Sequence, residues 1–218
     1  MTAVTSAPLP SGTTPWLFAF GRWIGANMYR PAYRVHRHDW SVIPVTGPLV
    51  VVANHSTMIE PQLLFGMLPR DTAFLVKDEL FRGIAGAGLR RIGQIPIRRG
   101  VADRTALSTA VGVLRAGGAI GVFPEGTRGS GDVEAAQQGA AWLARATGAQ
   151  VQPIATRGTA RPAGSGRRFR PVVDLLAGAP FDPQIGKGRA GLAEGTELIR
   201  TTLAKLVREL DGMRGNDD

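Results

Sequence analysis

Apolar residues occur along this chain of 218 residues in short unbroken runs, separated by segments in which they recur every three or four positions. Pro48-Leu49-Val50-Val51-Val52-Ala53 shows no polar alternation, the pattern of a strand buried on both faces of a parallel sheet. Similar runs predict strands over 71–76, 93–97, 119–123, 151–155 and 171–176. Pro153 inside the fourth of these argues for a strand end or edge, because proline cannot donate to a ladder. Helical periodicity fills the gaps. A helix with Glu60 at its start and Pro61 in its first turn is expected through about Leu68, and another, amphipathic, to span 77–92 across Gly83, Gly86 and Gly88, which mark close packing or a substrate-lining surface. Asp103 caps a third, with Leu107, Ala110, Val111 and Leu114 on one face. A fourth covers 134–147 and stops at Gly148, and Leu192, Ile199, Leu203, Val207 and Leu210 stripe a C-terminal helix.

Strands alternating with helices predict an α/β fold: a single domain with a largely parallel sheet wrapped by helices. Residues 1–14 are small, uncharged and expected to be mobile; 41–212 form the globular domain and 213–218 a tail. Residues 15–40 differ in character. Trp and Tyr concentrate before residue 41, flanked by Arg22, Arg30, Arg34 and Arg37, so an N-terminal amphipathic membrane-associating helical segment is expected to precede the domain. Neither a basic signal-peptide start nor a run of about 18 apolar residues is present, which predicts a peripheral or monotopic membrane contact on the cytoplasmic face. His36-Arg37-His38-Asp39 alternates in a short polar segment and reads as one exposed strand edge, with no metal expected. Residues 157–170, rich in Arg and Gly, read as a solvated loop.

Charge adds a preference for anions. The formal net charge is +9, and all but three of the 26 basic residues are Arg, the side chain that forks onto phosphate. The same excess would serve nucleic acid through counterion release, yet no recognition motif accompanies it, so no nucleic-acid partner is expected. With no cysteine, thiol nucleophiles, disulfides and cysteine-ligated zinc are excluded. One His and one Glu five apart are too few ligands for a metal hydrolase.

Two stretches carry candidate chemistry. Asn54-His55-Ser56-Thr57-Met58-Ile59-Glu60-Pro61 leaves the carboxyl end of the first run, the edge at which open α/β sheets bind ligands. If Glu60 at a helix start folds back onto His55, the pair is a base and its orienter. The second stretch, Phe123-Pro124-Glu125-Gly126-Thr127-Arg128-Gly129, follows another apolar run. Together they resemble the glycerophospholipid acyltransferase superfamily, and within it the 1-acylglycerol-3-phosphate acyltransferases. The resemblance covers roughly residues 48–182, and four blocks fall in the family's order.

By that resemblance, His55 is the general base that activates an acceptor hydroxyl, and Glu60 stands where the family has Asp. Ile97-Arg98-Arg99 matches the block whose Arg contacts the acceptor phosphate, with Arg98 preferred over Arg99. Glu125 is placed to hold the glycerol portion or the base's surroundings, Gly126 to let backbone approach closely, Thr127 to bind substrate beside them, and Arg128 to add charge for phosphate. Val151-Gln152-Pro153-Ile154 fits the last block loosely and is implied to shape an acyl pocket. The implied reaction is direct acyl transfer from acyl-CoA or acyl carrier protein to a lysophospholipid such as 1-acylglycerol 3-phosphate, with no cofactor. Another lysolipid or glycolipid acceptor fits the same motifs, and the Glu60 departure leaves room for a non-catalytic lipid-binding relative.

Overall fold

The computed structural model describes residues 8–98, 100, 103–125, 131–133, 136–160 and 169–215. Its elements, in chain order, are α1 (Pro15–Asn27), β1 (Arg34–His38), β2 (Leu49–Ala53), α2 (Ile59–Met67), β3 (Thr72–Lys77), α3 (Gly83–Arg91), β4 (Ile95–Ile97), α4 (Arg104–Arg115), β5 (Ala119–Val122), α5 (Gly139–Thr147), β6 (Gln150–Arg157), β7 (Val172–Ala177) and α6 (Gly188–Gly215). The strands lie side by side in the order β1-β7-β6-β2-β5-β3-β4. From β6 to β4 neighbours are parallel; β7 runs antiparallel to β6 and β1 parallel to β7. The expected α/β domain with a largely parallel sheet is therefore what the chain forms.

β2 explains its own unbroken apolar run. Leu49, Val51 and Ala53 pack with Phe18 of α1 and Leu63, Leu64 and Phe65 of α2, whereas Val50 and Val52 face Ala110 and Leu114 of α4 and Leu143 of α5. Both faces are covered, so no position along the strand can be polar. Because β2 to β6 all point one way, the residues that follow β2, β4, β5 and β6 gather at a single edge of the sheet.

The structure differs from the expectations at several places. Pro153 lies in an interior strand: β6 has β2 on one side and β7 on the other. Its imide nitrogen causes no loss, since the β6–β7 ladder stops at Ile154–Ala177 and on that side Gly178 N–H donates to the Pro153 carbonyl at 3.0 Å. The helix expected over 77–92 breaks into a 3₁₀ turn, Asp78–Phe81, and α3, with Arg82 between them and Gly83 at φ +61° opening α3. Gly86 marks close packing, because a Cβ there would sit 2.0 Å from the Phe81 carbonyl carbon, but Gly88 meets nothing. α5 begins at Gly139; of the helix expected from 134, residues 134 and 135 lie outside the described residues. Arg157 belongs to β6 rather than to a solvated loop; it donates to the Gly131 carbonyl and pairs with Asp132 and with Asp211 of α6.

α1 and α2 cross at unusually short range. A Cβ on Gly25 would lie 2.4 Å from the Gln62 carbonyl oxygen, and one on Gly66 would lie 2.2 Å from Ala26 N. Phe18 and Phe65 meet edge to face beside the crossing, 5.1 Å between centroids. Arg22, expected among the interface cations, instead turns inward to Asp71 and to the carbonyl of Leu68 at the end of α2. What α1 leaves exposed is a stripe at helical spacing, Trp16, Phe20 and Trp23, with Phe20 stacked on Trp23. Among the described residues no helix is long and apolar enough to cross a membrane.

Candidate active site

Asn54 follows β2 directly and fixes the backbone from which His55 departs. Its side-chain oxygen accepts from the backbone N–H of Thr156 on β6 at 2.7 Å and from the Thr156 hydroxyl at 3.1 Å, while its amide donates to the carbonyls of Thr156 and Gly131. Every polar atom of this fully buried side chain is thereby satisfied. Gly131 has φ +81°, and a Cβ there would fall 2.3 Å from Ser56 Oγ, so the segment reaches Asn54 only without a side chain.

α2 starts at Ile59, with Glu60 and Pro61 in its first turn. Thr57-Met58-Ile59-Glu60 is a capping-box sequence: the Glu60 carboxylate reaches back to Thr57 N–H at 2.8 and 3.0 Å, and Ile59 N–H donates to Thr57 Oγ1 at 3.2 Å. The same carboxylate faces His55 Nδ1 at 3.3 Å and accepts from the hydroxyls of Thr57 and Thr159. Glu60 has no exposed surface at all. Burial pushes its carboxyl up, but the hydrogen bonds from His55, Thr159 and Thr57 together with the imidazole charge outweigh it, leaving Glu60 below its ordinary value. An ionised carboxylate only accepts, so Nδ1 carries the proton in neutral imidazole and Nε2 bears the lone pair.

Glu125 follows β5 and meets the same loop from the other side, its Oε1 accepting the backbone N–H of His55 at 2.8 Å. Burial dominates here and raises the Glu125 carboxyl against that hydrogen bond. Phe123 lies over the imidazole, 4.6 Å between centroids, and Phe74 of β3 backs Phe123 at 5.9 Å. The imidazole thus stands between a buried carboxylate and an aromatic wall, oriented on two sides.

The structure joins His55, Glu60 and Glu125. Arg98 leaves the same sheet edge at the end of β4, three strands from β2 and so about 14 Å away by strand spacing. Its side chain is 67% exposed, with Nε 3.5 Å from Asp103, the residue that caps α4. Arg99, Gly126, Thr127 and Arg128 lie outside the described residues. Val151-Gln152-Pro153-Ile154 is buried within the sheet, where Gln152 donates to the Gly178 carbonyl at 2.6 Å. Sequence reasoning assigned no role to Thr57, Asn54 or Thr159. The Thr-x-x-Glu spacing signals the first; nothing local signals Thr159, which comes 99 residues after Glu60.

A family model described as Acyltransferase matches residues 34–157, more than half of the chain. A 1-acyl-sn-glycerol-3-phosphate acyltransferase of Bacillus subtilis (strain 168) is 28% identical over 175 residues, 78% of this chain and 86% of that protein. A protein of the same name from Borreliella burgdorferi is 29% identical over 116 residues, 51% of this chain and 46% of its own length. Among solved structures, the 1-acyl-sn-glycerophosphate (LPA) acyltransferase PlsC from Thermotoga maritima superposes with a TM-score of 0.69 at 25% identity, covering 90% of this chain and 80% of that one. A His-carboxylate pair at the carboxyl edge of a parallel sheet, the matched segment that spans it and the shared fold agree: the chain belongs to the acyltransferase family and is an O-acyltransferase of the glycerophospholipid superfamily.

Proposed function

We propose that this enzyme esterifies the free hydroxyl of 1-acylglycerol 3-phosphate with a fatty acyl group taken from acyl-CoA or acyl carrier protein, working at a membrane surface on its cytoplasmic side. The observation that carries the reading is the buried Glu60 carboxylate 3.3 Å from His55 Nδ1, which presets Nε2 as a proton acceptor. In the reaction Nε2 takes the hydroxyl proton as the oxygen attacks the thioester carbonyl. The tetrahedral oxyanion then collapses, the C–S bond breaks, and the departing sulfur takes the proton back from the imidazolium. Glu60 stabilises the imidazolium in between, and Glu125 keeps the His55 backbone in place.

Arg98, with Arg99 and Arg128, supplies the cationic ground for the acceptor phosphate, which would fix the hydroxyl relative to His55. Gly126 and Thr127, next to Glu125 in the motif, are assigned to substrate binding. The outward aromatic stripe of α1 supports membrane docking, since Trp16 and Trp23 are 67% and 61% exposed where a soluble helix would place polar residues.

The test is thiol release from palmitoyl-CoA, and from palmitoyl carrier protein, with and without lysophosphatidic acid in micelles, on the parent, His55→Ala and Glu60→Asp. Acceptor-dependent release by the parent, lost by roughly 10²-fold or more in His55→Ala, is expected. Glu60→Asp should be slower than the parent, because the shorter arm cannot hold both Thr57 and the imidazole. Activity appearing only in Glu60→Asp would replace the transferase reading with a non-catalytic lipid-binding one, and release with another lysolipid alone would move the acceptor.

A further inference from the structure

β1 is an edge strand, and its register with β7 sets His36 directly opposite Asp174, with His38 two residues further along. Side chains at alternate strand positions share a face, so both imidazoles and the Asp174 carboxylate project to the same side. His38 Nε2 lies 3.0 Å and His36 Nδ1 3.4 Å from one oxygen, Asp174 Oδ1, and the three ligand atoms lie within 4.8 Å of one another. A tetrahedral zinc ion with bonds of about 2.0–2.2 Å holds its ligands about 3.3 Å apart. The two imidazole–carboxylate spacings, 3.0 and 3.4 Å, fit that geometry. The sequence offered two of these ligands at His-x-His spacing; the third arrives 136 residues later and only through strand pairing.

The carboxylate is also prepared from behind. Arg214 of α6 binds Asp174 Oδ2 and the Val172 carbonyl, which fixes the rotamer and leaves Oδ1 aimed at the imidazoles. Asp174 is nearly buried, whereas His36 and His38 open to solvent, so an ion would have an entry path and a water-filled fourth position. Arg157, opposite Asp174 on β6, is occupied by Asp132 and Asp211, and Arg34 shares the β1 face.

We propose that His36, His38 and Asp174 form a binding site for a divalent transition-metal ion of the zinc type, which pins edge strand β1 to β7. Imidazole nitrogen with one carboxylate oxygen selects zinc, copper or nickel over magnesium or calcium. The guanidiniums nearby weaken the site relative to an acidic setting, so it is a loadable clasp rather than a permanent centre. It lies two and three strands from β2 and is independent of the acyl-transfer reading.

The experiment is a zinc titration of the tag-free full chain against a chromophoric chelator, with thermal unfolding run in parallel. The chain has three histidines and no cysteine, so assignment is direct. One saturating equivalent is expected, with a rise in Tm; the His36→Gln/His38→Gln variant should lose at least about tenfold in affinity and the Tm rise, while His55→Ala keeps both. The two substituted side chains are partly exposed, so metal-free unfolding of the double variant should match the parent, establishing that it is folded. No saturable binding, unchanged binding in the double variant, or loss in His55→Ala would each overturn the proposal.

Discussion

Glu60 and Glu125 both touch His55, one through the imidazole and one through the backbone, and burial acts on both. Their net shifts are opposite because Glu60 collects donors from Thr57, Thr159 and the imidazole, whereas Glu125 has the His55 N–H and lies near Asp132 as well as Arg157. Glu60, lowered in the fold, contributes stability that is complete above its unfolded value of 4.5 and is lost as pH falls through the lower folded value. Glu125, raised in the fold, contributes stability that is complete below 4.5 and is lost as pH rises through its folded value. Glu60→Gln should therefore cost about 1–3 kcal/mol at pH 7, since a buried amide turns a donor toward donors, and the deficit should shrink in acid below pH 4.5. Glu125→Gln keeps an acceptor for the His55 N–H and removes a disfavoured charge, so at pH 7 it should match or exceed the parent. Urea unfolding at pH 4 and pH 7 distinguishes the two. Equal losses at neutral pH would refute the assignment of opposite shifts. The same residue scale shows what a local sequence can disclose: Thr57-x-x-Glu60 is a capping box written in four letters. Thr159 is not written anywhere near it, because its hydroxyl reaches Glu60 only after β6 has been laid beside β2.

At the scale of elements, the α1–α2 crossing governs how the N-terminal helix is presented. Backbone-to-backbone approach at Gly25 and Gly66 turns the small-residue face of α1 inward and leaves the aromatic face outward. Gly66→Ala should destabilise the fold by about 1–3 kcal/mol through overpacking, whereas Gly88→Ala on α3, where a Cβ meets nothing, should be neutral or stabilising by up to about 1 kcal/mol. Denaturant midpoints of the two variants check the pair; a Gly66→Ala protein as stable as the parent would mean that the helices do not pack at this distance. Both glycines are visible in the sequence, but a glycine that admits a neighbouring helix looks the same there as one that faces solvent. Pro153 makes the complementary point. Its edge-strand reading fails because β7 lies on the far side of β6, and the proline is tolerated there because that ladder stops one residue short of it, a fact held by β7 rather than by β6.

For the whole molecule, net charge and the α1 stripe combine into one expectation about surfaces. Replacing both Trp16 and Trp23 with Ser should lower partitioning onto vesicles containing phosphatidylglycerol by at least about tenfold and leave Tm unchanged, because both side chains are already exposed. Co-sedimentation with vesicles measures the first and thermal unfolding the second; undiminished partitioning would remove α1 from the docking surface. Taken together, the sequence by itself determined the elements whose pattern is local: the doubly buried β2 run, the Asp103 cap of α4, the αL stop at Gly148 and the two motifs that leave β2 and β5. It also named His55, Glu60 and Glu125, since residue type and position after a strand carry that information. Tertiary structure alone decided which groups satisfy them. The Asn54–Thr156 and Glu60–Thr159 bonds, the Arg157 bridge to α6 and the meeting of His36 and His38 with Asp174 all join residues tens of positions apart. Such contacts follow from strand order and register, which are set by the packing of the entire sheet and leave no mark at either partner's place in the chain.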